Sequence, residues 1–208
     1  MRSLRSLCML MALAVPSVGL AEPSPANDTT PLCISLVGAT GTTAAPAGAF
    51  VVICRDLANN LQPGVNVVID LSGCPDLFIC ADQLDPAATV NCVNKTVSKI
   101  TGADGSAHFN VLGGSTGGGN AVTLLNGGRI YKNGVLIQSP TVSAFDLDGA
   151  GGVGANDMSA WLGDFIITLP FGRSDYDCSG SVGANDLSIW LGAFGSQTMA
   201  ESCASHCP

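Results

Sequence analysis

The sequence predicts a mostly β protein that ends in a small α module of two loop-helix repeats. Three observations carry this expectation. Between residues 31 and 143, short apolar or alternating runs are separated by turns rich in Gly, Asn and Pro. Gly supplies 26 of 208 residues and charged residues only 12%, with few strong helix formers before residue 156, a balance that favours strands and turns. Near the end one unit is written twice, FDLDGAGGVGANDMSAWLGDF at 145–165 and SDYDCSGSVGANDLSIWLGAF at 174–194. The period is 29 residues, from Asp146 to Asp175.

Residues 1–21 have the pattern of a signal peptide. Arg2 and Arg5 form the basic start, residues 7–15 are apolar, and Gly19-Leu20-Ala21 offers small residues at a cleavage site. The apolar run is too short to span a bilayer, and no later stretch is a transmembrane candidate. The expectation is a secreted, extracellular or cell-surface chain, cleaved near Ala21. Past that point six basic residues face sixteen acidic ones, so the field of the protein excludes nucleic acid as a partner.

Residues 22–30 are polar and Pro-containing and read as an exposed leader. Residues 31–143 read as a β-sandwich of about seven strands. Residues 50–55 form a β-branched run. Val65, Val67, Ile69 and Leu71 alternate with polar partners and define one buried face. Residues 106–112 repeat the alternation with Ala107, Phe109 and Val111 inward and His108 outward. The last strands are expected at 121–125 and 129–137, with Asn126-Gly127-Gly128 and Asn133-Gly134 as hairpin turns.

Of nine cysteines, Cys8 leaves with the signal peptide, and the even remainder in an exported chain implies disulfides. Five lie before residue 93 and three after 177, so an all-disulfide state needs a bridge between the two parts. Cys74 and Cys80, around a short CPDLFIC segment, are the expected local pair. Cys178 is expected to reach Cys203 or Cys207 in the tail, 197–208. No Cys-x-x-Cys knuckle supports zinc.

The repeats, within 144–196, carry the chemistry. Asp146, Asp148 and Asp157 stand at positions 1, 3 and 12 of the first loop, with Gly151 at 6 and the carbonyl of Gly152 at 7. Asp175, Asp177, Ser179, Ser181 and Asp186 fill positions 1, 3, 5, 7 and 12 of the second, with Gly180 at 6. This is the spacing of an EF-hand-type calcium loop. A hard cation needs six to eight oxygens, and alternate residues around a Gly turn deliver them. Two calcium ions are expected, the first bound more weakly because Ala150 offers no ligand at position 5. Val153 and Val182, at position 8, are expected to face each other. Met158, Trp161 and Phe165, and likewise Leu187, Trp190 and Phe194, recur at i, i+3 and i+7 and predict an apolar helix face.

A calcium loop followed by one helix, twice, resembles the dockerin module. Ala150 at position 5 and Gly154 and Gly183 at position 9 depart from the family pattern. The resemblance implies a cohesin-type protein partner, docked on Ala155, Asn156, Leu162 and Gly163 of one copy and Ala184, Asn185, Leu191 and Gly192 of the other. The phrases VVICRDLANNLQPGVNVVIDL and TGADGSAHFNV resemble segments of bacterial immunoglobulin-like domains of the invasin type. That resemblance implies a spacer or adhesion scaffold. Dockerins keep company with polysaccharide-degrading systems, which implies a surface-polysaccharide context and, as a third reading, a carbohydrate-associated module. A purely structural, calcium-stiffened surface or matrix protein is the alternative to docking. No nucleophile elbow, zinc-protease helix or P-loop occurs. Asp56, Asp70, Asp76 and Asp82 read as dispersed surface carboxylates, so no enzyme activity is expected.

Overall fold

The computed structural model describes residues 25–117, 125–167, 171–195, 203 and 205–207. The expected signal peptide and most of the expected strand at 121–125 lie outside these. Among the described residues the strands are β1 (Cys33–Leu36), β2 (Ala39–Thr40), β3 (Thr43–Ala44), β4 (Ala49–Ile53), β5 (Asn66–Asp70), β6 (Leu77–Cys80), β7 (Thr89–Asn91), β8 (Thr96–Ile100), β9 (Ser106–Asn110), β10 (Gly113–Ser115), β11 (Arg129–Lys132), β12 (Val135–Gln138), β13 (Thr141–Ala144) and β14 (His206–Cys207). The helices are α1 (Ala155–Ile166) and α2 (Ala184–Gly195). The chain is mostly β with a two-helix C-terminal module, as the sequence predicts.

The largest sheet runs β12-β11-β5-β8-β7 and is antiparallel throughout. Its buried face is set by period-2 alternation: Val67 and Ile69 on β5, Val97 on β8 and Ile130 on β11 are all inward. They share one core with Val52, Ala107 and Phe109 of the β4–β9 pair and with Ile34 and Leu36 of β1. His108 is exposed between Ala107 and Phe109, as alternation requires. The β11–β12 hairpin closes through Asn133 and Gly134, with φ of 47° and 83°. Two consecutive positive φ angles match the strand twist, and Asn-Gly tolerates them best.

The module is joined to this β unit. β13 pairs in parallel with β1, and the chain leaving β13 opens the first loop. Phe145 and Leu147 share a second core with Val37, Leu112, Trp161, Tyr176 and Trp190. Trp190 Nε1 donates to the Phe145 carbonyl at 3.1 Å, and the Tyr176 hydroxyl donates to the Ala144 carbonyl at 2.9 Å. The Phe145 and Tyr176 rings stack 4.8 Å apart.

Both expected cysteine pairings are corrected. The bridges are Cys33–Cys178, Cys80–Cys203 and Cys92–Cys207, and all three tie the β unit to the C-terminal region. The CPDLFIC segment is no closed loop, because Leu77–Cys80 is the fully buried strand β6, which lies between β10 and β14. That places Cys74 in the first core and Cys80 in the second. The tail pairs with β6, His206 opposite Cys80 and Cys207 opposite Ile79, so its cysteines are carried to Cys80 and Cys92. Cys178 lies instead at the start of β1. Three disulfides fit an oxidising compartment, and no helix among the described residues is long and apolar enough to cross a membrane.

Two further expectations change. Asp76 is buried, not a surface carboxylate. The expected leader is docked by its end: Asp28 accepts the Arg55 amide at 2.6 Å, and Lys132 Nζ reaches Asp28 Oδ1 at 2.9 Å. The side chains of this pair are 1% and 0% exposed. Breaking a buried pair strands the remaining charge. Lys132→Met should therefore cost about 3–5 kcal/mol, read as a lower guanidinium midpoint. An unchanged midpoint would show that the pair holds nothing.

Candidate metal centre

Each repeat folds its acidic residues onto the first turn of its helix. Asp157 and Asp186 occupy the third helical position of α1 and α2, after Gly154 and Gly183. Asp157 Oδ2 accepts the Gly154 amide at 2.6 Å, and Asp186 Oδ2 accepts the Gly183 amide at 2.8 Å. This is the reciprocal half of a capping box, satisfying a donor that the helix leaves open. The other oxygen turns back into the loop. Asp157 Oδ1 accepts from Leu147 N at 2.6 Å and Asp148 N at 2.9 Å; Asp186 Oδ1 accepts from Tyr176 N at 2.7 Å and Asp177 N at 3.1 Å. One aspartate per copy thus fixes both the loop's entry and its exit.

The loop backbones agree at positions 4 and 6 and part at 7, where Gly152 has a φ of 77° and Ser181 is not left-handed. Gly149 and Cys178, both at position 4, have φ of 74° and 53°, and Gly151 and Gly180, both at position 6, have φ of 73° and 87°. At position 4 the first copy needs Gly for a second reason: a Cβ there would lie 2.4 Å from the Ser115 carbonyl oxygen. In the second copy the same place holds Cys178, half-buried, which bridges to Cys33.

The folding brings Asp146, Asp148 and Asp157 together, and separately Asp175, Asp177 and Asp186. In each triad one carboxylate oxygen per residue lies within 4.8 Å of the others. Ser179 Oγ sits 3.1 Å from the Ser181 carbonyl, so positions 5 and 7 of the second loop also converge. Ala150 is exposed and adds no ligand, and Gly152 is buried. Val153 and Val182 are half-buried against the second core. Asp148, Asp157, Asp175, Asp177 and Asp186 are paired with no Lys or Arg among the described residues. The donor set is all oxygen and anionic, and it fits a hard divalent cation better than a soft one.

The electrostatics have the same origin. Burial, and after it the charge of Asp186, pushes Asp175 up to about 6. Burial also raises Asp157. The hydroxyl and amide of Ser179 hold Asp177 below its usual range. Converging carboxylates without a cation repel each other and favour the proton.

The residues expected to meet a partner are on the outside. Ala155, Asn156, Gly163, Ala184, Asn185 and Gly192 are exposed, and Leu162 and Leu191 are each 45% exposed, so the leucines are not core. The helix face is corrected. Phe165 and Phe194 are 50% and 47% exposed, stacked on Trp161 and Trp190 at the edge of the buried stripe. That stripe is Asp157, Trp161 and Asp164 in α1, and Asp186, Trp190 and Ala193 in α2.

Sequence reasoning missed a buried network beside the loops. Asp164 Oδ2 accepts Arg173 Nε at 2.8 Å, its Oδ1 accepts Arg173 Nη2 at 2.6 Å, and Ser174 Oγ donates to Oδ2 at 2.6 Å. Arg173 also reaches Asp76 Oδ2 at 3.4 Å. The hydrogen bonds that Arg173 donates to the Asp164 carboxylate raise its pKa, so the guanidinium stays charged despite burial. One signal was available: Asp164 breaks the repeat, since its counterpart is Ala193. No protein-family model, curated protein or solved structure matches this chain.

The raised Asp175 sets two opposite pH dependences. Its folded pKa, about 6, exceeds the ordinary 3.8, so the cation-free native state binds the proton more tightly than the unfolded chain. Without cation, stability should rise as pH falls from about 6 toward about 4. With calcium, the proton competes for the ligand, so affinity should fall over the same window. Titration calorimetry at about pH 7 and about pH 5 checks this; equal affinities would remove Asp175 from the ligand set.

Proposed function

We propose that this is an exported calcium-binding docking protein. Two calcium ions order the duplicated loop-helix module, the outer face of that module binds a cohesin-type domain, and the β unit serves as an immunoglobulin-like spacer or adhesion scaffold. The observation that carries the reading is the pairing, in both copies, of a convergent Asp triad with a helix that leaves several apolar side chains exposed outside its buried stripe. Calcium is the cation the donor set suits best. Asp146, Asp148 and Asp157 would hold one ion with the Gly152 carbonyl. Asp175, Asp177 and Asp186 would hold the other with Ser179 and the Ser181 carbonyl. Bound calcium would neutralise the carboxylates that otherwise repel, and so fix the direction of each helix. Leu162, Phe165 and Ile166 leave α1 with a run of exposed apolar groups, and Ile189, Leu191 and Phe194 do the same for α2. Exposed apolar groups gathered on one element mark an interaction surface more often than chance scatter does.

A second reading is favoured by one specific observation. The module shares a core and the Cys33–Cys178 bridge with the β unit, and the tail adds two more bridges to it, so calcium could serve to stiffen the whole chain as a surface or matrix component. The two readings separate in a pull-down from an extracellular fraction with calcium or with EDTA. Docking predicts calcium-dependent retention of a cohesin-type domain. It also predicts that Leu162→Asp or Leu191→Asp alone leaves affinity within about threefold while the double variant loses about a hundredfold or more, as for a shared apolar anchor. Calcium-dependent melting with no retained partner would favour the structural reading and overturn docking.

A further inference from the structure

We propose that Asp164 is a positioning residue that couples the two cation sites, so that filling either one raises the affinity of the other. The inference rests on the cation-binding reading and adds to it a residue that lies in neither loop.

The coupling path is short and continuous. Asp157 closes the first site from the third position of α1. Asp164 lies seven residues further on the same buried face, about 10 Å along the helix at the usual rise per residue. Its carboxylate grips Arg173 through two parallel hydrogen bonds and takes a third from the Ser174 hydroxyl. Two parallel bonds to a planar guanidinium fix orientation as well as distance. Ser174 is fully buried and is bonded directly to Asp175, the first ligand of the second site. A helix therefore joins the last ligand of one site to the first ligand of the next.

The two states are physically distinct. With a cation, Asp157 is drawn to the ion and the first turn of α1 is held. Without one, three clustered carboxylates repel, and the turn that carries Asp157 is the one they strain. Asp164 transmits whichever arrangement prevails to Arg173 and Ser174. Arg173 is in turn held by Asp76 of the β unit, which gives the lever a fixed point. The second helix has no equivalent arm, because Ala193 replaces the aspartate. The path therefore runs through α1. The coupling it carries is nevertheless reciprocal, as any linkage between two binding equilibria must be.

A role limited to anchoring the module would lower stability and nothing else. Coupling changes site affinities in a way that a double-mutant cycle reads. The test titrates the full chain with calcium in a calorimeter, in four forms: wild type, Asp157→Asn to disable the first site, Asp164→Asn, and the double variant. Asp157→Asn should weaken the second site by about tenfold when Asp164 is present and by less than about twofold in the Asp164→Asn background. Where Asp164→Asn fails to fold, Ser174→Ala replaces it. That change keeps every charge and removes only the hydroxyl arm, and it should likewise shrink the effect of Asp157→Asn. An equal effect of Asp157→Asn in both backgrounds, or none in the wild type, overturns the proposal while leaving cation binding intact. Failure of the wild-type chain to take up calcium overturns both.

Discussion

The crowding of like charges in the two loops is the constraint on which the C-terminal module depends. Six aspartates are drawn into two clusters, and four of them, Asp146, Asp157, Asp175 and Asp186, are buried. Burial of an unneutralised carboxylate is expensive, and a second one nearby makes it more so. The chain offsets part of this with backbone amides, which is why Asp157 and Asp186 each accept three. The remainder is what a cation would relieve. The same two aspartates begin the helices, so the candidate cation site and helix initiation share one residue in each copy.

The second consequence is geometric. Since Asp157 and Asp186 point into their loops, they fix the rotation of the helices. Trp161 and Trp190, four residues on, fall inward, and Leu162, Leu191, Phe165 and Phe194 fall outward or to the edge. The β unit then accepts the inward face. Phe145 closes the second core from the strand side, and Trp190 bonds to its carbonyl. Three disulfides and the Asp76–Arg173–Asp164 network hold the arrangement from outside and inside.

How much of this was legible in the sequence follows from the distance over which each interaction acts. The triads were legible because all three aspartates fall within twelve residues and the unit is repeated. The β5 face and the Asn133-Gly134 turn were legible because alternation and positive φ are local properties. The rotation of α1 differs from the apolar pattern for a physical reason: spacing of apolar residues alone selects Met158, Trp161 and Phe165, whereas the buried hydrogen bonds of Asp157 and Asp164 turn those two aspartates inward with Trp161 and leave Phe165 at the edge. Cysteine pairing was not legible, since the bridges span 115 to 145 residues and depend on β14 lying beside β6. The Asp28–Lys132 and Asp76–Arg173 pairs, separated by 104 and 97 residues, were hidden in the same way. Only Asp164 left a local trace, as the one charge that the second copy lacks on the buried face.

The central claim is that a cation completes the C-terminal fold. Far-ultraviolet circular dichroism of the full chain, with disulfides intact, tests it most directly. With calcium the spectrum should show the helical signal of α1 and α2. With EDTA that signal should fall while the β contribution persists, and calcium should restore it. Equal helicity in calcium and in EDTA, with no shift in melting temperature, would contradict the account.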